Sequence, residues 1–404
     1  MYTAQEVMEY VQAEDVKFLR LAFCDVFGEQ KNISIMPEEL QRAFEDGISF
    51  DASAIAGFGS EEKSDLLLFP DASTLCVLPW RPAQGRVVRL FCDIRRPDGT
   101  TFELDGRRIL KQAADTVRDA GYACDFGAEF EFYLFRTDEM GEPTDVPFDR
   151  AGYMDIAPLD RGENVRREIC LTLSEMGIHP ESSHHEEGPG QHEIDFRYSD
   201  PLSAADNAVT FRSVVRTLAA RNGLYASFDP KPLPDHSGNG MHVNISLHDK
   251  SGAEHARDAF MAGILAHVRE LTVFFNRTAE SYRRLGEQKA PKYITWSPEN
   301  RSQLIRIPAA KGEYRRIELR SPDALANSYL TYALLIHAGL DGIRRGLCPP
   351  PPTNLNLYRA ERSITDQLSM LPETLEEARL AASQSEWLAG LLPSELLRAY
   401  GVDQ

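Results

Sequence analysis

The most regular alternation of polar and apolar positions lies in the stretch 126–135, which reads FGAEFEFYLF. Successive side chains of a β-strand point to opposite faces. The pattern therefore predicts a strand with Glu129 and Glu131 on one face and apolar residues such as Phe130 on the other. Two carboxylates about 6.6 Å apart along a strand, backed by aromatic bulk, need a cation or a proton between them. The alternative is an acidic solvent face of an antiparallel sheet.

Capping signals and helical spacing of apolar residues predict helices after the Thr3 and Glu6 capping box, from about Pro37 to Gly47, and at 105–120, 163–176, 203–222, 256–277, 324–345 and 373–389. Apolar runs at 18–23, 30–35 and 86–94 predict strands. The order follows no regular βαβ rhythm, and several strands carry charge on one face. We therefore predict an α+β fold built on a mainly antiparallel sheet. The turn-rich segment 95–99 predicts a boundary between a small N-terminal domain, 1–100, and a larger domain, 101–404.

Composition narrows the class of protein. A net charge of −18 over 404 residues argues against a nucleic-acid or anionic-membrane partner, because such surfaces repel an acidic protein. The six cysteines include no CxxC pair, which predicts neither a disulfide framework nor a zinc ribbon, and favours a reducing cytoplasm. No apolar run approaches the roughly 20 residues that span a bilayer, and the N-terminus has no basic, apolar leader.

A second acidic segment, 184–196, reads HHEEGPGQHEIDF. Its Gly-Pro-Gly is a tight-turn signal, so Glu186 and Glu193 are expected to come close together from its two sides. With Glu129 and Glu131 they would make four carboxylates. The alternative is the polar tip of a hairpin.

Two further segments carry polar side chains at strand spacing. After Gly238-Asn239-Gly240, the residues His242, Asn244 and Ser246 share one face of a predicted strand. In 315–320, which reads RRIELR, one face carries Glu318 with one arginine on each side, Arg316 and Arg320. Such a run is either a structural ion-pair ladder or a clamp for carboxylate and phosphate groups.

Taken together, the candidate ligands are carboxylates with one imidazole and no thiolate. Hard oxygen ligands of this kind select Mg²⁺ or Mn²⁺. Divalent ions beside arginines suit phosphoryl transfer, where positioning and charge neutralisation supply most of the rate. No GxxxxGK[ST] loop is present, so a nucleotide would be held by another device.

The order and spacing of these segments resemble bacterial glutamine synthetases of the shorter, non-adenylylated kind over nearly the whole chain. Further matching motifs are FDAS at 50–53, SD at 64–65, KP at 231–232, NR at 300–301, RIP at 306–308 and PD at 322–323. The resemblance implies a small β-grasp-like N-terminal domain and a large catalytic domain with a curved antiparallel sheet and flanking helices. It also implies a homo-oligomer, a dodecamer of two hexameric rings with active sites between neighbouring subunits.

The same resemblance implies residue roles. Ligands of the first metal are Glu131, Glu186 and Glu193, and ligands of the second are Glu129, His242 and Glu318. Contacts to the substrate glutamate are Arg284, Arg301, Arg320 and the backbone of Gly238. Contacts to ATP are Glu181, Asn244, Ser246, Arg306 and Arg316. Asp51 of the adjacent subunit takes a proton from bound ammonium. Two or three Mg²⁺ or Mn²⁺ ions per site would complete the set.

The implied reaction transfers the ATP γ-phosphate to the glutamate side chain, and an amine then attacks the acyl phosphate, so the chain is expected to be a glutamate–ammonia ligase.

One departure concerns the loop 285–291, which is one residue shorter than in typical members and has Lys289 where they carry a glutamate; Glu287 is a possible substitute. Ser60 and Glu313 stand where relatives carry a feedback-related arginine and an ATP-site lysine. Two alternatives stay open: a γ-glutamyl ligase for a larger amine, and a catalytically weak glutamine sensor.

Overall fold

The computed structural model describes residues 2–59, 64–81, 84–249, 254–287, 289–310 and 315–403. Ser60 and Glu313, two of the departures noted above, lie outside the described residues, as does Gln288 of the shortened loop.

Six described strands form the N-terminal sheet: β1 Phe18–Cys24, β2 Gln30–Ile35, β3 Ile48–Asp51, β4 Asp65–Pro70, β5 Cys76–Val77 and β6 Val87–Arg95. Their order is β2-β1-β6-β4-β3, with β5 beside β6, and β1 runs parallel to β6. Helices α1, Ala4–Ala13, and α2, Leu40–Glu45, accompany this sheet. Thr3 caps α1 in the predicted capping box, whereas the helix predicted from Pro37 begins as the 3-10 turn Pro37–Glu39.

Nine described strands form the large sheet: β7 Tyr122–Thr137, β8 Pro143–Pro147, β9 Pro180–His185, β10 Gln191–Phe196, β11 Leu224–Ser227, β12 Met241–Asp249, β13 Trp296–Ser297, β14 Ile305–Arg306 and β15 Ile317–Leu319. The main order is β13-β14-β15-β12-β7-β10-β9, and β8 and β11 also pair with β7. Within these strands every pair is antiparallel apart from β13 with β14. The predicted α+β fold with a mainly antiparallel sheet is confirmed.

The other described helices are α3 Gly106–Asp119, α4 Glu163–Glu175, α5 Pro201–Arg221, α6 Glu254–Phe275, α7 Ala279–Arg284, α8 Ser328–Arg345, α9 Arg362–Thr365, α10 Leu375–Ser383, α11 Glu386–Leu391 and α12 Ser394–Ala399. The helix predicted at 324–345 begins at Ser328, because Asn327 caps it. The one predicted at 373–389 is two helices, since the Ser385 hydroxyl accepts from the backbone N–H of Leu388 and starts a new one. No helix in the described ranges has the length and apolar character needed to cross a membrane.

Strand β7 runs through the middle of the large sheet and separates the core from the acidic face. Phe130, Phe132 and Leu134 are fully buried, as the alternation predicted. The Phe130 ring lies 5.1 Å from Phe211 of α5, and Phe132 lies 5.7 Å from Phe228, measured between ring centres. This aromatic layer holds β7 in one register, so the acidic side chains all point away from it.

Candidate active site

Cross-strand pairing brings the predicted site residues into one row. Four neighbouring strands, β15, β12, β7 and β10, contribute residues that lie directly opposite one another: Glu318 with Asn244, His242 with Glu129, and Glu131 with Glu193. Directly opposite residues in an antiparallel sheet have Cβ atoms about 4.5–5.5 Å apart. Four separate sequence segments therefore build one continuous acidic patch.

A cavity opens above this row. Its walls include five of the six proposed metal ligands and all four proposed glutamate contacts; its lining residues are Glu129, Glu131, Tyr153, Glu186, Glu187, Glu193, Ser237, Gly238, His242, Arg284, Lys289, Ala290, Arg301 and Arg320. We call it the carboxylate pocket. Glu318, the sixth proposed ligand, is buried and does not belong to the lining, although its ligand atom lies within 4.8 Å of those of Glu129 and His242.

One side of the pocket, the arginine-paired half, consists of Glu129, His242 and Glu318. Glu318 accepts hydrogen bonds from Arg306 Nη1 at 2.7 Å and from Arg320 Nη1 at 2.8 Å. Glu129 lies 3.3 Å from His242 Nδ1 and accepts from Asn244 Nδ2 at 2.8 Å. Burial opposes ionisation of Glu129. The hydrogen bond and positive charge of His242, together with the hydrogen bond from Asn244, outweigh this effect and lower the pKa of Glu129 to about 2.

The other side, the carboxylate-crowded half, consists of Glu131, Glu186 and Glu193. Burial, together with the neighbouring carboxylates of Asp195 and Glu131, raises the pKa of Glu193 well above its usual range. Burial and the charge of Glu129 likewise raise the pKa of Asp195 to about 7. Glu186 has a lowered pKa: burial opposes this, but a hydrogen bond with His184 prevails. Without a further cation, Glu193 therefore favours its protonated form.

The donor chemistry fits divalent cations. Ligand atoms of Glu129, His242 and Glu318 lie within 4.8 Å of one another, which is the set proposed for the second metal. The set proposed for the first metal divides between two such groups: Glu131, Glu193 and His242 in one, and His184, Glu186 and Glu193 in the other. Carboxylates with one or two imidazoles match the preferences of Mg²⁺ and Mn²⁺. His184 begins the acidic segment 184–196 but was not among the residues predicted as ligands from the sequence.

Glycines let the backbone approach the buried Arg284. A Cβ at Gly240 would lie 2.6 Å from Arg284 Nη2, and a Cβ at Gly238 would lie 2.2 Å from the Pro230 carbonyl oxygen. Arg284 Nη1 donates to the Ser321 carbonyl at 2.9 Å. The glycine loop therefore permits a close contact that any side chain would block.

Only some of the residues proposed to contact ATP lie near the carboxylate pocket. Arg316 Nε donates to Asn244 Oδ1 at 2.8 Å, and Ser246 is buried two residues further along β12. Arg306 pairs with Glu318. Glu181, in contrast, is exposed on β9 and does not line the carboxylate pocket.

Asp51 also lies outside the pocket lining, at the end of β3 in the N-terminal sheet. It is exposed, and hydrogen bonds from the Ser53 hydroxyl and backbone N–H lower its pKa. Within one subunit its carboxylate therefore does not complete the site.

A buried polar network lies behind Glu186. His185 Nε2 is 2.9 Å from Asp149 Oδ1, and His185 Nδ1 is 2.7 Å from the carbonyl oxygen of Glu186. Asp149 also accepts from the backbone N–H of Gly190 and of Arg161, each at 3.0 Å. Through His185 and Gly190, the network holds the backbone on both sides of the Gly-Pro-Gly turn, and so it fixes the position of Glu186.

Two pocket residues gave no signal in the sequence. Tyr153 lies in a loop without regular pattern, and Glu187 looked like a neighbour of Glu186 rather than part of a wall. Glu287, considered as a substitute for the missing glutamate, pairs with Lys231 at 3.3 Å and does not line the carboxylate pocket.

Comparisons with known proteins agree with this geometry. Residues 15–97 match the family profile "Glutamine synthetase, beta-Grasp domain", and residues 103–402 match "Glutamine synthetase, catalytic domain". A glutamine synthetase of Clostridium saccharobutylicum is 44% identical over 93% of this chain and 88% of its own. One of Staphylococcus aureus is 41% identical over 99% of this chain and 93% of its own.

Solved structures show the same fold. A structure described as a GmaS/ADP complex superposes with a TM-score of 0.88 at 29% identity, covering 97% of this chain and 93% of that one. Plasmodium falciparum glutamine synthetase has a TM-score of 0.86 at 24% identity, covering 99% of this chain and 94% of that one. With both family profiles matched along one chain and the acidic row assembled in the large sheet, this protein belongs to the glutamine synthetase family.

Proposed function

We propose that the carboxylate pocket phosphorylates the side chain of glutamate with ATP and then joins the acyl group to ammonium, giving glutamine. Family membership makes the chain an ATP-dependent ligase that forms a C–N bond. The observation that carries the proposal is the row of cross-strand pairs, with carboxylates in its middle and arginines at its end.

Arginines would supply substrate binding and charge stabilisation. Arg320 is buried and fixed by Glu318, and Arg284 is buried beside the glycine loop. Arg301 is exposed at the rim, where a substrate carboxylate would enter. Planar guanidinium groups bind carboxylates and phosphates with two parallel hydrogen bonds. We assign these three arginines and the Gly238 backbone to glutamate, and Arg306 and Arg316 to the ATP phosphates.

The family uses divalent metals. We propose Mg²⁺ or Mn²⁺, held by Glu131, Glu186 and Glu193 at one position and by Glu129, His242 and Glu318 at a second. Bound there, the ions would neutralise charge on the phosphate oxygens during transfer. In their absence, Glu193 favours its protonated form, and His242 and Arg320 hold the second-position ligands Glu129 and Glu318 in place.

Nucleotide contacts are proposed for Glu181, Asn244 and Ser246. Two observations support this assignment: the related GmaS structure was solved with ADP, and Asn244 links Glu129 to Arg316 in this chain. A nucleotide lying along β12 would therefore meet both the acidic row and an arginine.

We further propose that active sites form between subunits of a dodecamer. The N-terminal sheet, which we take as a domain of residues 1–100 beside a catalytic domain of 101–404, carries Asp51 exposed and away from the pocket of its own subunit. A neighbouring copy is needed to bring this carboxylate to bound ammonium, where it would take the proton. Analytical ultracentrifugation would distinguish a dodecamer from a single ring.

The test is phosphate release by the purified protein with ATP, Mg²⁺ and glutamate, comparing ammonium with methylamine, ethanolamine and putrescine. Ammonium-dependent release with glutamine as product is expected. Release that requires one of the larger amines would contradict the assignment of ammonium, and no amine-dependent release at saturating substrates would contradict the ligase function.

A further inference from the structure

Residues 25–29, which join β1 to β2, form a tight turn that we call the plug turn. Asp25 Oδ1 accepts a hydrogen bond from the backbone N–H of Phe27 at 3.0 Å. Gly28 has a φ of 79°, and a Cβ at this position would lie 2.9 Å from the Cα of Asn327, the residue that caps α8. The absence of a side chain therefore lets the turn reach the backbone of the large domain.

Three buried side chains bind the backbone of the plug turn, and all of them lie in the region that matches the catalytic-domain profile. Asn327 Nδ2 donates to the Val26 carbonyl at 2.9 Å, and Tyr400 Oη donates to the same oxygen at 3.0 Å. Arg212 Nη2 donates to the Gly28 carbonyl at 2.8 Å. The three donors are buried. Hydrogen bonds shielded from water hold their acceptors firmly, because no solvent molecule takes over when one breaks.

Arg212 of α5 also binds the segment that follows the pocket residue Arg320. Its Nη1 donates to the carbonyl oxygens of Ala324 and Ala326, at 3.3 and 3.1 Å. A single guanidinium group thus joins the plug turn to the chain that leaves the carboxylate pocket. The planar fork of arginine can serve acceptors on two sides at once, whereas a lysine ammonium cannot reproduce that geometry.

The segment 323–326 has further bonds that do not involve Arg212. Asp323 Oδ1 accepts from the backbone N–H of Leu325 at 2.9 Å, and the backbone N–H of Asp323 donates to α6. The Gly28 carbonyl, in contrast, has Arg212 as its donor. Loss of the guanidinium group should therefore release the plug turn more than the glutamate side of the pocket.

The plug turn and the strand that leads into it pack against the chain on both sides of Asp51. The ring centre of Phe23, at the end of β1, lies 4.8 Å from that of Phe50. Val26 of the plug turn is buried against Gly57, where a Cβ would lie 2.5 Å from Val26 Cγ2. Close-packed interiors transmit displacements, so a shift of the plug turn moves the segment that carries Asp51.

We propose that Arg212 is a positioning residue for the amine half of the reaction, because by fixing the plug turn it sets where Asp51 meets the pocket of the neighbouring subunit. The inference rests on the proposed function, in which Asp51 takes a proton from ammonium bound in the adjacent subunit. A misplacement of about 1 Å can cost about 100-fold in rate. Since Asn327 and Tyr400 still hold the turn, Arg212→Lys should have a smaller effect, of about tenfold.

The experiment measures phosphate release with ATP, Mg²⁺ and glutamate, with either ammonium or hydroxylamine as the amine. Hydroxylamine is largely unprotonated at neutral pH, so it needs no proton acceptor before it attacks the acyl phosphate. Arg212→Lys should raise the KM for ammonium about tenfold, while the KM for glutamate and the rate with hydroxylamine stay close to wild type. Asp51→Asn should likewise lose more activity with ammonium than with hydroxylamine. Equal losses with both amines in Arg212→Lys, or no loss with either, overturn the proposal.

A second pair of variants tests the plug turn without changing a charge. Tyr400→Phe removes one donor to the Val26 carbonyl and keeps the ring that packs 5.3 Å from Phe27. It should raise the KM for ammonium about two- to fivefold, the value of one hydrogen bond. Tyr332→Phe is the matched control, since the Tyr332 hydroxyl is buried in α8 and has no hydrogen-bond partner in the described ranges. Equal ammonium KM values in the two variants contradict the role of the plug turn.

Hydrogen–deuterium exchange gives a readout that does not depend on turnover. Exchange in 48–58 should be faster in Arg212→Lys than in the wild type and in Tyr332→Phe, whereas exchange in 323–326 should be unchanged. Unchanged exchange in 48–58 overturns the proposal. If the wild-type enzyme releases no amine-dependent phosphate, or if Asp51→Asn does not distinguish the two amines, the proposed function or its assignment of Asp51 fails. The exchange comparison then still decides whether Arg212 holds the segment that carries Asp51.

Discussion

The two halves of the carboxylate pocket use the same residue type on the same sheet, yet they differ in how their charge is balanced. In the arginine-paired half, Glu318 lies between Arg306 and Arg320, and Glu129 is held ionised with a pKa of about 2. In the carboxylate-crowded half, Glu193 faces Glu131 and has a raised pKa. One half is neutralised by the protein and the other is left for an external cation.

This difference bears on the two interpretations of the segment 315–320, a structural ion-pair ladder or a clamp for substrate. An ion-pair ladder and a substrate clamp are not exclusive, because Arg320 Nη1 binds Glu318 while the residue also lines the pocket. The internal pair holds the guanidinium in place before substrate arrives. Preorganised charge of this kind needs no rearrangement during the reaction.

The largest expected effect comes from removing the charge at the centre of the arginine-paired half. Glu318→Gln should lower kcat about 10³-fold, because it deletes a proposed metal ligand and leaves two arginines without their counter-ion. The same change at the exposed Glu373, which pairs with Lys292, should have little effect. Phosphate release measures the loss, and ultracentrifugation checks that assembly is intact. Near-normal turnover in Glu318→Gln would contradict the site assignment.

In the carboxylate-crowded half, Glu193→Gln should leave the stability of the metal-free protein unchanged or raise it. The amide replaces a carboxyl group whose ionised form is disfavoured by burial and by the facing carboxylates, so the Tm without metal should be equal or higher. Mn²⁺ at about 100 times its Kd should stabilise the wild-type protein by about 2.7 kcal/mol and the variant by much less. Thermal unfolding with EDTA or Mn²⁺ measures both, with the exposed Glu376→Gln as control. A clear drop in Tm without metal would show that Glu193 is not repelled.

The raised pKa of Asp195, about 7, gives a pH dependence whose sign can be tested. The folded state holds this proton up to about pH 7, whereas an unfolded aspartate loses it near pH 4. Folding therefore binds a proton at Asp195 between these values, so this carboxyl contributes about 2 kcal/mol of stability at pH 5 that is lost as pH rises to 8. Over this range the wild-type protein without metal should lose about that much more stability than Asp195→Asn. The lowered pKa of Glu129 acts only below about pH 4 and does not interfere.

Urea unfolding at pH 5, 6, 7 and 8 in EDTA measures this slope. Asp195→Asn should remove the contribution of this carboxyl to the slope, and saturating Mn²⁺ should reduce it by replacing the proton as the neutralising charge. A wild-type slope equal to that of Asp195→Asn would mean that the Asp195 carboxylate is already neutralised by the protein.

The smallest effect concerns the network behind Glu186. Asp149→Asn should weaken Mn²⁺ binding about tenfold, because it loosens the buried His185 that holds the Glu186 backbone. Asp125→Asn is the matched control, since Asp125 and His248 form a pair at the same 2.9 Å on the surface. Calorimetric titration with Mn²⁺ gives the ratio of the two variants' Kd values. Equal Mn²⁺ affinities would mean that the buried pair of Asp149 and His185 does not support metal binding.

Local rules made much of the site predictable. The period-2 alternation in 126–135 placed Glu129 and Glu131 on one face, and the Gly-Pro-Gly turn placed Glu186 and Glu193 in one hairpin. Both signals act over a few residues, so they need no knowledge of the rest of the fold. The resemblance to a known family supplied the proposed roles of residues in distant segments.

Other features depend on contacts between segments far apart in the chain. The pairing of Glu193 with Glu131, and of His242 with Glu129, follows from the register of three strands packed on one aromatic layer. That register sets which carboxylates meet an arginine and which meet each other. The place of Tyr153 in the pocket wall has the same origin, since an irregular loop has no periodicity from which its partners can be inferred. Composition and local pattern are properties of the chain, whereas the balance of charge in the pocket is a property of distances that exist only after folding.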